Sequence, residues 1–216
     1  EPSVGAGSFV PFLFKLYENV PHVILDVVDV DQGSLEAFDL LLDKIGIAHN
    51  FTINRICHDF LTWEPVYRYD LVVGNPPFSK LKKKTSDIIE AIKYNKNRVT
   101  NNLAALFLEK CMRCSDCVAL VLNKNILSTE EYAETRNLLR TVKIESIIDF
   151  GRYGFTGVSI ETMCMVVYPR QKPKKTTVYS MKYNKKYIHN QDYITDETYP
   201  SFLIYRDEQF DSVAKK

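Results

Sequence analysis

The chain has 216 residues, is 45% hydrophobic and carries a formal net charge of +1. That length and composition support one sizeable core in one or two domains, and the charge balance gives no overall bias toward a polyanionic or membrane partner. Its 5 cysteines do not form the dense framework of a small secreted protein, and no apolar run reaches membrane-spanning length. These features point to a reducing, cytoplasmic protein with no membrane role.

Glu1-Pro2-Ser3-Val4-Gly5-Ala6-Gly7-Ser8-Phe9 reads as a glycine-containing turn entering a helix, with Ser8 as its cap and Phe9 to Tyr17 as its body. Val23 to Val30 is apolar enough for a buried strand that ends at Asp29-Val30-Asp31. Leu35, Phe38, Leu41, Leu42 and Ile45 recur at helical spacing, and Gly46 stops that helix. Phe51 to Ile56 is the next strand, followed by Asp59-Phe60. Asp70 to Val73 is another, leading into Asn75-Pro76-Pro77-Phe78. Asn102 to Cys111 reads as a helix, Val118 to Leu122 as a strand, and Ser128 or Thr129 as the cap of a helix running to Leu139. Ile144 to Phe150 and Thr162 to Tyr168 complete the series. The alternation predicts an α/β fold with a mostly parallel sheet and helices on both faces. After Tyr168 the periodicity weakens, so residues 1–169 are expected as one domain and 170–216 as an edge element or linker.

Open parallel sheets bind ligands beyond the carboxyl ends of their strands. The Gly5-Ala6-Gly7 turn, Asp29, Asp59-Phe60 and the Asn75 tetrad all fall at such ends. Asp29 fits an acid that holds a ribose diol, with Asp31 as its rival, or else a surface acid that ends the strand. Asp59 and Phe60 suit the amine and ring of a cofactor adenine, with a simple polar turn as the alternative. In the tetrad, Asn75 offers a side-chain carbonyl, Pro76 lacks an N–H, and Phe78 offers a stacking face, so a flat amino-bearing ring fits there. The basic run Lys80, Lys82, Lys83, Lys84, Lys93, Lys96 and Arg98 follows directly, and a second cluster extends from Arg170 to Lys186. Either is a solvated face or a phosphate-binding one. Cys111, Cys114 and Cys117 lack a convincing fourth ligand and read as structural thiols, with Cys57 and Cys164 as core residues. His22, His49, His58 and His189 show no ligand spacing, and no nuclease pattern is present.

Taken in order, these motifs resemble the catalytic domain of S-adenosylmethionine-dependent DNA adenine-N6 methyltransferases of restriction-modification type, with cofactor motifs ahead of the Asn-Pro-Pro-Phe motif. Thr100-Asn101-Asn102-Leu103 and Phe155-Thr156-Gly157-Val158 extend the resemblance across roughly residues 1–170. The tetrad by itself also occurs in enzymes that methylate protein glutamine or RNA bases. The resemblance implies a Rossmann-like methyltransferase sheet and S-adenosylmethionine as cofactor. It implies that Glu1, Gly5, Gly7, Asp29, Asp59 and Phe60 bind that cofactor, and that Asn75, Pro76, Pro77 and Phe78 act on a flipped adenine. Lys80, Lys82, Lys83, Lys84 and Phe155 are the expected DNA contacts, with no metal. The expected partners are double-stranded DNA and linked target-recognition and nuclease modules, as in type II restriction enzymes of bacteria or archaea. The chain opens inside the glycine turn. It is therefore expected to be a fragment that lacks the upstream first strand of the sheet, and to be inactive by itself or to serve as a non-catalytic DNA-binding module.

Overall fold

The computed structural model describes residues 1–152 and 160–214. The chain order is α1 (Val10–Leu16), β1 (Val23–Asp29), α2 (Gln32–Ile45), β2 (Phe51–Cys57), β3 (Tyr69–Gly74), α3 (Ser86–Ala91), α4 (Leu103–Cys114) and β4 (Ser115–Asn123). Two short 3-10 turns, Lys124–Leu127 and Glu130–Tyr132, lead into α5 (Ala133–Thr141). The remainder is β5 (Lys143–Gly151), β6 (Thr162–Tyr168), β7 (Lys175–Ser180), β8 (Lys185–Asn190), α6 (Gln191–Ile194) and α7 (Glu208–Ala214).

Local chemistry sets the element ends. Asp31 caps α2 by accepting from the Ser34 amide at 2.8 Å, and Gly46 ends that helix with a φ of 76° that a side chain would disfavour. Asn102 caps α4 through Ala105 N. Ser8 does not cap α1: Phe9 occupies the cap position without a side-chain bond, and Pro11 lies in the first turn. Pro11 has no N–H to satisfy there, which lowers the demand for a cap. The helix expected from Ser128 or Thr129 is instead a 3-10 turn followed by α5, and Thr129 makes no side-chain cap bond.

β1 and β2 form a parallel pair, and the other strands form a six-stranded sheet in the order β3-β4-β6-β5-β7-β8. The expectation of a mostly parallel sheet is corrected. β3–β4 and β5–β7 are parallel, but β4–β6, β5–β6 and β7–β8 are antiparallel. A parallel neighbour needs a crossover of about a dozen residues or more, and the links between β5 and β6 and between β7 and β8 are shorter than that. Residues 170–216 contribute β7, β8, α6 and α7, and bury Phe202 and Ile204 in the main core.

Alternate residues of β1 face opposite sides, so both of its faces are buried. Leu25 and Val27 pack with Val10 and Leu13 of α1 and Phe38 of α2, whereas Val28 joins the core built on α4 and the large sheet. Helices therefore cover both faces. Cys111 is buried in α4, but Cys57 is exposed, contrary to its reading as a core residue. It ends β2, whose outer side is open to solvent. Among the described residues no helix is long and apolar enough to cross a membrane.

Main-chain hydrogen bonds tie β1 to the Glu1–Val4 segment, and Tyr69 of β3 reaches the Asp26 carboxylate of β1. Val28 N donates to Glu1 O at 3.0 Å and Val4 N to Val28 O at 3.1 Å. On the other side, Pro2 lies against Gly74, where a Cβ would sit 3.0 Å from the Pro2 carbonyl. Below that junction a groove of about 540 Å³ separates β1 from β3. This groove includes Glu1 but not Gly5, Asp29, Asp59 or Asn75.

Candidate active site

Hydrogen bonds link the glycine turn to Asp29 and to the tetrad, and Asp29 to the residue before Asp59. The Gly5 amide donates to Asp29 Oδ2 at 2.9 Å, and the Asp29 carbonyl accepts from His58 N at 2.9 Å. Asp29 thus connects the glycine turn to the end of β2. The Ser3 hydroxyl donates to the Asn75 carbonyl at 3.4 Å, connecting the turn to the tetrad. Gly5 and Gly7 have φ of 55° and 78°, in the left-handed region where side chains are strained. A Cβ at Gly7 would also overlap the Phe38 ring, whereas Gly5 faces open space.

Asp31, the rival of Asp29, is engaged as the α2 cap by both the amide and the hydroxyl of Ser34, which hold its carboxyl below the usual range. Asp29 Oδ1 accepts from Asp31 N at 3.0 Å. A carboxylate has about four lone-pair sites, so each oxygen of Asp29 retains capacity for a hydroxyl donor.

Asp59 organises the turn after β2. Its Oδ1 accepts from Leu61 N at 2.9 Å, and its carbonyl accepts from Thr62 N and Trp63 N. Phe60 is buried at 5% exposure, its ring 4.9 Å from that of Phe107. It also lines a small cavity of about 40 Å³ with Glu1, Val28, Trp63 and Tyr69.

Seven buried side-chain polar atoms among the described residues lack a hydrogen-bond partner, and two of them belong to the motifs. Asn75 Oδ1 and Glu1 Oε2 are buried without a hydrogen-bond partner. Burial pushes the Glu1 carboxyl up to about 7. Unmet buried acceptors are costly, and a ligand that brings donors removes that cost. A buried carboxylate beside a left-handed glycine turn suits the ammonium of an amino-acid-bearing cofactor. The free amide oxygen of Asn75 suits an exocyclic amine. The residues present therefore fit S-adenosylmethionine and an adenine.

Pro76 is buried, and Phe78 packs partly against the main core. The segment leaving the tetrad is pinned: Leu103 N donates to Ser79 O at 3.0 Å, Leu81 N to Asn101 O at 2.8 Å, and Asn102 Nδ2 to Phe78 O at 3.5 Å. Not all of the expected phosphate contacts stand free. Lys80 pairs with Glu131 at 2.9 Å, and Lys84 donates to the Arg98 carbonyl at 2.7 Å. Lys82 and Lys83 are exposed. Phe155 lies outside the described residues. Among those described, no group of His, Cys, Asp or Glu could hold a metal.

Sequence reasoning missed Asp26. It is buried within β1, and its carboxylate accepts from Tyr67, Tyr69 and Asn54 at 2.6–2.7 Å. An acid in the middle of an apolar strand was its visible signal. Lys110, on the buried side of α4, was also missed. Its ammonium donates to the carbonyls of Leu61 and Trp63 and to Glu64.

Comparison with known proteins identifies the fold and the family. A type II methyltransferase, M.CvrRI, from Paramecium bursaria Chlorella virus XZ-6E is 26% identical over 176 residues, which cover 79% of this chain and 42% of that protein. The chain thus spans well under half of the curated relative it matches. A solved modification subunit of a protein assigned as a type I restriction enzyme from Vibrio vulnificus YJ016 superposes with a TM-score of 0.66 at 18% identity, over 83% of this chain and 42% of that one. A protein from Listeria monocytogenes assigned to the class I S-adenosylmethionine-dependent methyltransferases gives 0.65 at 16% identity, over 82% and 56%. These two likenesses establish the shared Rossmann-like methyltransferase fold. The sequence profile of the Eco57I restriction-modification methylase matches residues 30–155. That match takes in Asp31, Asp59-Phe60 and the Asn75 tetrad and covers more than half of the chain, which belongs to the Eco57I restriction-modification methylase family.

Proposed function

We propose that this chain forms the catalytic part of a DNA methyltransferase that moves a methyl group from S-adenosylmethionine to N6 of an adenine flipped out of double-stranded DNA, within a restriction-modification system. The observation that carries the reading is the buried, unsatisfied Asn75 Oδ1 at the head of the tetrad. An acceptor held in that state is preorganised for an amine donor and needs no rearrangement to receive one.

S-adenosylmethionine supplies an electrophilic methyl group on sulfur. The chain positions and polarises the nitrogen that attacks it. Asn75 Oδ1 and the Pro76 carbonyl accept hydrogen bonds from N6, which draws its lone pair out of conjugation with the ring. Phe78 stacks on the flipped base, whose removal from the duplex is required for chemistry at an exocyclic amine. Glu1 and the Gly5–Gly7 turn hold the amino-acid end of the cofactor, Asp29 its ribose, and Asp59 its adenine amine. Phe60 flanks that adenine from the core side. Exposed Lys82 and Lys83 meet phosphate next to the extruded base, a contact that positions DNA without specifying sequence.

The test is methyl transfer from labelled S-adenosylmethionine to unmethylated duplex DNA, followed by nucleoside analysis. Label in N6-methyladenine is expected, and Asn75→Ala should lower the transfer rate by roughly 10²–10³ while cofactor binding persists. Label in cytosine, RNA or protein glutamine, or transfer that survives Asn75→Ala, would overturn the assignment.

A further inference from the structure

Lys110 is an unusual residue to bury. Its side chain is 3% exposed, yet the acid it pairs with, Glu64 at 3.2 Å, is itself 75% exposed. An ammonium removed from water needs acceptors for three N–H groups. Two of them are main-chain carbonyls, Leu61 at 2.9 Å and Trp63, and the third is Glu64. All three acceptors lie in the turn that begins at Asp59. The ammonium also sits 5.4 Å from the centre of the Phe60 ring. Phe107, one turn earlier on the same face of α4, also packs against that ring, with centroids 4.9 Å apart. An apolar side chain at position 110 would fill the space, but it could not gather carbonyls.

We propose that Lys110 is a positioning residue for the cofactor's adenine, presetting the Asp59–Phe60 turn by binding the carbonyls of Leu61 and Trp63. This rests on the cofactor reading given above. The geometry gives α4 two separate duties. Its amino end, through Asn102 and Leu103, holds Phe78 and Ser79. Its middle, through Phe107 and Lys110, holds the Asp59–Phe60 turn. Burial pushes the Lys110 ammonium down from its ordinary value, opposed by Glu64, so the exposed partner helps keep the charge in place.

The experiment compares the protein with its Lys110→Met variant, which keeps length and apolar bulk but removes the donors. Three quantities are read: the equilibrium Kd for S-adenosylmethionine, hydrogen exchange of the Leu61, Thr62 and Trp63 amides without cofactor, and kcat at saturating cofactor. A Kd raised about tenfold or more, with kcat held within about twofold, is the expected signature of lost positioning for binding. Exchange at the three amides should quicken before any cofactor is added. Asn102→Ala should do the reverse, lowering kcat with little change in Kd.

An unchanged Kd alongside faster exchange would make Lys110 a structural residue only and overturn the proposal, as would unchanged exchange. Failure of the unsubstituted protein to bind S-adenosylmethionine would overturn the cofactor reading as well, so the two failures are distinguishable. If Lys110→Met does not fold, the Lys110 Nζ resonance of the unsubstituted protein decides. A slowly exchanging ammonium that shifts on cofactor addition supports the proposal, and a rapidly exchanging one sinks it.

Discussion

The Gly5 amide is hydrogen-bonded to Asp29 Oδ2 at 2.9 Å, while the Asp29 carbonyl receives His58 N at the same distance. One residue therefore fixes the glycine turn relative to the segment that carries Asp59. Asp29→Ala should raise the Kd for S-adenosylmethionine by about tenfold or more, since a charge-assisted bond and a ribose acceptor are lost together. Asp31→Ala should slightly weaken α2 and leave Kd nearly unchanged. Isothermal titration of both variants separates the two acids, and equal losses would mean that Asp31 shares the ribose role.

Two glycines of the same turn should respond differently to a methyl group. Gly5→Ala meets open space and incurs mainly the left-handed backbone penalty, about 1–2 kcal/mol. Gly7→Ala adds a clash with Phe38 in the α2 core, so a loss of roughly 2–4 kcal/mol is expected. Urea unfolding of the two variants measures the gap, and equal losses would show that the Phe38 ring yields freely.

The lysines after the tetrad should contribute unequally to DNA binding. Lys82→Ala and Lys83→Ala are each expected to reduce the salt slope of DNA affinity by about 0.9. Lys80→Ala should do less, because Glu131 already neutralises it. Glu131→Gln should release Lys80, tighten binding and steepen the slope. Titrations between low and moderate salt read all four variants. A full-sized effect from Lys80→Ala would mean that DNA displaces Glu131.

Asp26 gives the fold an acid sensitivity. Burial opposes its ionisation, but hydrogen bonds from Tyr69, Asn54 and Tyr67 outweigh that and hold its carboxyl below the usual range. A carboxyl depressed on folding stabilises the protein above its unfolded pKa. That contribution disappears as pH falls through the folded value. Tyr69→Phe should therefore lower stability at pH 7 by about 1 kcal/mol, and the deficit should shrink at pH 3. A deficit that does not change with pH would mean that Tyr69 acts by packing alone.

Much of this architecture was legible in the sequence because its signals are local. Apolar runs marked β1, β2, β3 and β6, helical spacing marked α2 and α4, and Gly46 marked a helix end. What escaped depends on distant partners. The antiparallel placement of β6 between β4 and β5 is a tertiary choice that no window of sequence states. β7 and β8 are short, and β8 is half exposed at the sheet edge, so their alternation is weak. The motif residues drew notice in the sequence because they follow strand-like runs. Lys110 did not, because a lysine in a helix normally lies on the solvated face. Only the folded loop of carbonyls makes its burial tolerable.

The C-terminal segment has a practical consequence for dissecting this protein. Tyr205 donates to Asp149 at the end of β5, and Arg206 pairs with Asp196 and Asp211 at 2.7 Å each. Phe202 N donates to Leu127 O at 2.8 Å. A shorter version ending at Pro169 would strip β5 of its parallel neighbour and uncover the seats of Phe202 and Ile204. The exposed β5 edge would then be open to pairing between molecules. Expression of such a version should yield aggregates, so a cut meant to liberate the catalytic core belongs after the Arg206 clamp.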